Sequence, residues 1–237
     1  MKKSGLSSTR VKPGAHGVDR HAMARIAPFG AYILFMVLAD LLERLGCKAQ
    51  ELLWLYPAKV TLVALLLWRY WATYHELRGQ TSVSFRTLAL GLVTGTLVFA
   101  VWVTLDAEWM TLGTPSGFDP RREESLDWAF VAVRLGGAAL VVPIMEELFW
   151  RSFLLRWLVN HDFLRVQPAC VTLVAFSLSA LFFAIEHHFW FAGLIAGAAF
   201  NTLYMRTGSL WCAVTAHAVA NALLGIWVLN TGSWTYW

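Results

Sequence analysis

Between Trp128 and Val159 the chain is almost continuously apolar, yet it carries Glu146, Glu147 and Arg151 within six residues. Apolar residues flank these charges on both sides: Leu135-Gly-Gly-Ala-Ala-Leu-Val-Val142 ahead of Pro143-Ile-Met-Glu-Glu-Leu-Phe-Trp-Arg151, and Ser152-Phe-Leu-Leu-Arg-Trp-Leu-Val159 behind it. A charge at the centre of a bilayer costs roughly 2.5–3.5 kcal/mol on insertion scales. No polar face runs along the segment, so a solvated helix face does not explain these three groups. They must face one another or other polar groups inside a bundle.

Spacing separates their roles. Residues four apart share a helix face, and Glu147 precedes Arg151 in the favourable orientation for an ion pair. Glu146 is rotated by about 100° from Glu147 and points elsewhere. One carboxylate is thus tied to a cation, and one is left for acid–base chemistry near neutrality.

The rest of the chain supports a membrane setting. It is 58% hydrophobic and 14% charged, with mean hydropathy +0.55, which places it outside the soluble globular class. Thirteen Trp residues suit interfacial belts. Cys47, Cys170 and Cys212 are odd in number and widely separated, so they form neither a disulfide framework nor a metal-binding spacing. The net charge of +4 comes from a basic N-terminus and loops and does not call for nucleic acid as a partner.

Taken in order, residues 1–25 read as a disordered basic cytoplasmic tail, and 26–230 as one transmembrane helical domain. Seven spans are expected: 26–45, 52–74, 87–105, 128–159, 169–188, 190–205 and 210–229. Trp54 with Tyr56, and Trp68 with Tyr70, Trp71 and Tyr74, read as two aromatic belts. Lys59 lies inside and is expected to snorkel or pair. Gly91 with Gly95, and Gly193 with Gly197, allow close helix approach. Gly and Pro residues in 106–127 argue against a regular element there. Pro143 should kink span four. Lys and Arg alternate to one side, which makes the N-terminus cytoplasmic and the C-terminus external.

Two further polar groups lie in hydrocarbon. Phe183-Ala-Ile-Glu-His187 is followed by His188, and His217-Ala-Val-Ala-Asn221 sits in the last span. Singly, each reads as helix–helix hydrogen bonding, and Glu186 and His188 read as interfacial. Together with Glu146, Glu147 and Arg151 they make a buried acid–base site with hydrogen-bond donors. His187 lies far along span five, so it meets His217 only if spans tilt or begin at different depths.

The ordered set Glu-Glu-x-x-x-Arg, Phe-x-x-x-His and His-x-x-x-Asn resembles the CAAX prenyl endopeptidase and bacteriocin-processing (Abi, CPBP) family over residues 128–225. Trp54-Leu-Tyr-Pro-Ala-Lys59 is similar to a CAAX protease-related branch found with exosortase sorting systems. The resemblance implies an intramembrane glutamic endopeptidase without a cofactor or metal. Glu146 and His187 would activate water, His217 and Asn221 would stabilise the oxyanion, and Glu147 and Arg151 would hold the site in shape. The four-residue step from Phe183 favours His187 over His188. Trp150 stands where Phe is common in that family, and Ser152 where Gly is usual. The implied substrate is a membrane protein or lipidated peptide, in a bacterial inner membrane. The alternatives are a zinc metalloprotease, against which stands the absence of His-Glu-x-x-His, a proton-coupled transporter, and a non-catalytic immunity or scaffold protein. The expected fold is an all-α polytopic bundle with its catalytic residues on spans four, five and seven.

Overall fold

The structure, a computed structural model, describes residues 19–79, 84–113, 117–122 and 125–237. It is an all-α bundle. Its principal helices are α1 (Arg20–Arg44), α2 (Leu55–Tyr70), α3 (Phe85–Trp102), α4 (Trp128–Trp157), α5 (Leu173–Ile185), α6 (Trp190–Thr207) and α7 (Leu210–Thr231). Side-chain oxygens start four of them: Asp19, Ser84, Asp127 and Thr172 each accept from a backbone N–H in the first turn, which satisfies donors that a helix start leaves free. Gly208 and Gly232 end α6 and α7 at φ +66° and +70°, where a side chain would be strained.

Five helices, including α2 extended to Gln50–Thr73, are long and apolar enough to cross a membrane. The other two expected spans are different. α5 has 13 residues, ~20 Å of helix against a hydrocarbon core of ~30 Å. α6 is a continuous helix of 18 residues, but Gly193, Gly197, Asn201 and Arg206 break its apolar character. The short α5 answers the depth problem. It begins only at Leu173, after a turn at Pro168–Cys170, and Phe183 in its last turn meets the His217 ring of α7 edge-on, centroids 6.1 Å apart.

Several expectations are corrected. Residues 20–25, read as part of a disordered tail, form the first turns of α1, and Arg25 is fully buried; the tail's residues 1–18 lie outside the described residues. Tyr56 and Tyr74 are buried rather than belted, and Tyr74 donates its hydroxyl to the Ala24 carbonyl at 2.7 Å. Trp54 and Trp68 do face outward. The 106–127 segment contains a short 3-10 turn, Glu108–Met110, and a two-residue antiparallel strand pair, β1 (Arg121–Arg122) with β2 (Ser125–Leu126).

Close packing follows the glycine pairs. Gly91 and Gly95 of α3 face Thr215, Ala216 and Val219 of α7, while Gly193 and Gly197 of α6 face Ala184 and Ala180 of α5. The outer faces carry Leu34, Val37, Leu65, Val93, Leu97 and Leu173, all exposed, whereas the interior holds Arg25, Glu146, Glu147, Arg151 and His217. This inside-out polarity is that of a protein solvated by lipid.

One polar cluster ties the N-terminal helix to α4. Arg25 donates to Glu76 Oε1 and Oε2 at 2.6 and 2.7 Å and to Ser152 Oγ at 2.8 Å. Arg156 Nη2 donates to the same Ser152 Oγ at 2.9 Å, and the Ser152 hydroxyl bonds Glu76. Ser152, where the resembled family usually has Gly, is the hub of this cluster. Desolvation pushes the Glu76 carboxyl up, but the Arg25 guanidinium and the hydrogen bonds from Arg25 and Ser152 outweigh it and hold the carboxyl below its ordinary value.

Two outcomes are expected. A depressed folded value means that Glu76 contributes stability fully above the unfolded carboxyl value of about 4.3 and loses it as pH falls through the folded value. Thermal unfolding in detergent from neutrality down to about pH 3 should therefore show a shallower acid limb for Glu76→Gln than for wild type; parallel limbs would contradict the linkage. A Cβ at Gly95 would overlap the Ala216 carbonyl. Gly95→Val should cost ~1–3 kcal/mol in the same unfolding assay, whereas Gly136→Ala, with nothing within 4 Å of the new carbon, should not destabilise.

Candidate active site

The centre of the site is set by an irregularity in α4. Val142 N–H donates to the Gly137 carbonyl five residues back, within a π-helical stretch at Gly137–Val141. In that register the next donor would be residue 143, a proline without an N–H. The Ala138 carbonyl left over accepts from Asn221 Nδ2 of α7 at 2.8 Å. Pro143 thus produces a wide turn and a bound amide rather than a simple kink. A second π-helical stretch, Leu148–Leu154, follows Glu147; such bulges are frequent at functional sites.

The carboxylates separate as their spacing indicates. Glu147 is fully buried, and its Oε1 accepts from Arg151 Nη1 at 3.0 Å and pairs with His217 Nδ1 at 2.9 Å. Arg151, also fully buried, donates from Nη2 to the Gly197 carbonyl at 3.3 Å and lies over the Phe183 ring at 4.4 Å and the Phe200 ring at 5.2 Å. Phe200 also stacks on His217, centroids 5.2 Å apart at 21°. These contacts fix the imidazole with its Nδ1 proton on a carboxylate, which leaves Nε2 for a substrate.

Glu146 turns the other way. It is 4% exposed, with Oε2 buried and unpartnered. It lines a cavity of about 290 Å³ together with His187, His217 and Asn221; Glu147 and Arg151 stay behind that wall. The four residues expected to do chemistry therefore share one cavity, and the two expected to hold the site stand outside it.

His187 sits one residue past the C-cap of α5, not inside the helix as expected, but its Nδ1 still bonds the Phe183 carbonyl at 2.7 Å. A carbonyl can only accept, so Nδ1 carries the proton and Nε2 is a free base nitrogen. Trp102 meets the same ring edge-on at 5.2 Å. His188 also lines the cavity, but its Nδ1 is bound to the Leu112 carbonyl of the 103–113 loop. Glu186 was read as interfacial. Its tip is buried, and its charge acts on Glu146. Nothing in the sequence marked it beyond its place beside His187. Trp150 reaches toward Glu186 and packs edge-on against Phe29 and Phe183, an area an ordinary Phe would fill less completely.

Among the described residues no three His, Cys, Asp or Glu side chains gather as a metal-binding group. The arrangement can instead supply a base pair, Glu146 and His187, beside two donors, His217 and Asn221.

The buried trio gives a sharp expectation. Glu147→Gln leaves Arg151 as an unpaired buried cation and should cost ~3–5 kcal/mol. Replacing both Glu147 and Arg151 by Met removes the stranded charge and should recover much of that loss. Unfolding of the single and double variants in detergent checks this; a double variant less stable than the single would contradict it.

The family model for type II CAAX prenyl endopeptidases, Rce1-like, matches residues 128–223, from the start of α4 into α7. The first half of the chain lies outside that match. No curated protein and no solved structure matches the chain.

Proposed function

Because residues 128–223 belong to the type II CAAX prenyl endopeptidase Rce1-like family, a class of membrane-embedded endopeptidases, we propose a glutamic mechanism in which this chain hydrolyses a peptide bond of a membrane-associated substrate. The observation that carries it is the division of polar groups around the cavity: Glu146, His187, His217 and Asn221 line it, and Glu147 with Arg151 brace it from behind.

The sequence of events follows from the hydrogen bonds. A water held between the Glu146 carboxylate and His187 Nε2 loses a proton to that pair. The hydroxide forms a C–O bond to the scissile carbonyl carbon, and the carbonyl oxygen becomes an oxyanion. Asn221 Nδ2 uses one hydrogen on the Ala138 carbonyl and has a second for the oxyanion. His217 donates from Nε2 when that nitrogen carries a proton, while the Glu147 carboxylate accepts from Nδ1 and holds the ring in place. The C–N bond then breaks, and the proton taken from water passes to the leaving amine. Glu147 and Arg151 touch no reacting atom in this scheme; they position His217.

Access follows from the same cavity. Its lining includes Gly117, His188, Tyr236 and Trp237, at the end of the bundle opposite Arg20, Arg25 and the Arg156–Arg165 loop. By the positive-inside rule the basic end is cytoplasmic, and a substrate enters from the outer side.

Two measurements test this. Terminal-peptide mass spectrometry of membranes carrying wild type or Glu146→Ala should show protein termini that vanish with the variant, a loss of ~10²–10⁴-fold in cleavage; identical termini with the variant stably inserted would overturn proteolysis. Chelation should leave cleavage intact, and loss to chelator with rescue by Zn²⁺ would favour the metalloprotease instead. For access, the native thiols serve as reporters. Cys47 is half-buried in the turn after α1, and Cys170 is exposed in the turn before α5, at the other end. A membrane-impermeant maleimide on intact cells should label Cys47 and spare Cys170; the reverse pattern would put the cavity mouth in the cytoplasm.

A further inference from the structure

Every fully or nearly fully buried Arg in the described bundle has a carboxylate partner. Arg25 pairs with Glu76, Arg151 with Glu147, and Arg156 lies 3.5 Å from Glu76. Lys59 of α2 and Arg134 of α4 do not follow this pattern. Both are only partly accessible, and no carboxylate in the described residues lies within ion-pair distance of either. The buried Arg134 Nε has no hydrogen-bond partner at all.

Aromatic faces hold the two cations in place. Lys59 Nζ sits 4.0 Å from the Tyr32 ring centroid and 5.0 Å from that of Tyr56. The Arg134 guanidinium lies over the same Tyr56 ring at 4.4 Å and near Phe118 at 5.4 Å. The Tyr56 hydroxyl donates to the Arg134 carbonyl at 3.3 Å. Cation–π contacts hold such groups without neutralising them. Two positive charges sharing one ring repel each other, and Arg134 and Glu146 act on Lys59 in opposite senses, the carboxylate from beyond ion-pair distance. An arrangement of this kind is completed by an anion placed between them.

Their location says what that anion belongs to. Arg134, Tyr32 and Tyr56 line the catalytic cavity together with Glu146. The same three residues and Lys59 line a second cavity of about 690 Å³ between α1, α2 and the 117–119 segment. Arg134, with Tyr32 and Tyr56, therefore stands in the wall common to the two, and Lys59 lies beside it in the second cavity alone, whose lining also holds Asp40, Glu43 and Asp119. An unpaired guanidinium binds carboxylate by charge-assisted hydrogen bonds.

We propose that Lys59 and Arg134 form an anion subsite that receives a carboxylate of the peptide substrate, either its terminal carboxylate or an acidic side chain near the scissile bond. This rests on the endopeptidase reading above, because the occupant is a substrate of that cavity. The two are binding residues, not catalytic ones.

The test measures binding rather than cleavage, so the two readings fail separately. The full chain, as wild type and as Glu146→Ala, is placed in phosphatidylcholine nanodiscs. The probes are a fluorescent N-acylated apolar tripeptide as its C-terminal acid, its C-terminal amide, and an amide carrying one Glu or one Gln. The acid, or the Glu-bearing amide, should bind at least about tenfold more tightly than its neutral counterpart in both proteins, and should protect Lys59 from amine-reactive labelling read by mass spectrometry. Which probe shows the preference identifies the carboxylate. Lys59→Gln with Arg134→Gln should abolish the preference, and Lys59→Arg with Arg134→Lys, which keeps both charges, should retain it and so control for misfolding. Equal binding of acid and neutral probes, or a preference surviving the double Gln variant, overturns the proposal. So does equal protection of Lys59 by phosphatidylglycerol nanodiscs without peptide, which would assign the pair to lipid phosphate. An acid preference in a protein that cleaves nothing would leave the subsite standing and remove the endopeptidase reading.

Discussion

The structure depends on a single requirement: a charge taken out of water into a lipid-solvated bundle must be met by a partner at hydrogen-bonding distance. Glu147 Oε1 meets two, Arg151 and His217, and by doing so it fixes helices α4 and α7 relative to each other at one depth. Arg151 extends the tie to α6 through the Gly197 carbonyl. That contact exists because Gly197 lets α6 lie against Ala180 of α5. One ion pair and one glycine thus bring four helices to a common point, and the cavity occupies the space beside it.

Much of this was legible in residue spacing. The four-residue step from Glu147 to Arg151 identified the pair, and the one-residue offset turned Glu146 away from it; both hold in three dimensions. The two small-xxx-small pairs identified helix faces that do pack closely. What spacing did not convey came from departures from ideal helix geometry. His187 lies beyond the end of α5, so its relation to Phe183 is a side-chain bond to a carbonyl and not a shared helical face. Tyr56 and Tyr74 were read as interfacial from residue type alone, yet each has a buried backbone acceptor for its hydroxyl, which composition cannot reveal. Glu186 was passed over because a single carboxylate at a helix end usually reaches water, and here the short α5 keeps it inside.

Pro143 shows how local covalent chemistry reaches the site. A proline in an α-helix removes the donor for the carbonyl four residues back; in the wider π-helical register the donor lost is to the carbonyl five back. With Val142 bonded to Gly137, that carbonyl is Ala138, and Asn221 takes it up. The missing N–H thereby sets the orientation of a carboxamide on another helix. In the proposed mechanism this matters because an oxyanion donor contributes most when it needs no reorganisation, and an Asn with one hydrogen already bound has few orientations left to explore.

Ser152 shows the same economy at the other end of α4. Where the resembled family usually has Gly, a hydroxyl stands among Arg25, Arg156 and Glu76. Two cations share one carboxylate there, and a carboxylate has enough lone pairs to accept from both only if a third group relays part of the demand. A hydroxyl both donates and accepts, so it bonds Glu76 while accepting from the two guanidinium groups. A Gly at that position would leave those donors competing for Glu76 alone. The N-terminal helix, outside the family match, is therefore joined to the matched region by a residue that departs from the family pattern, which indicates that Arg25, Glu76, Ser152 and Arg156 are coupled and should be substituted together.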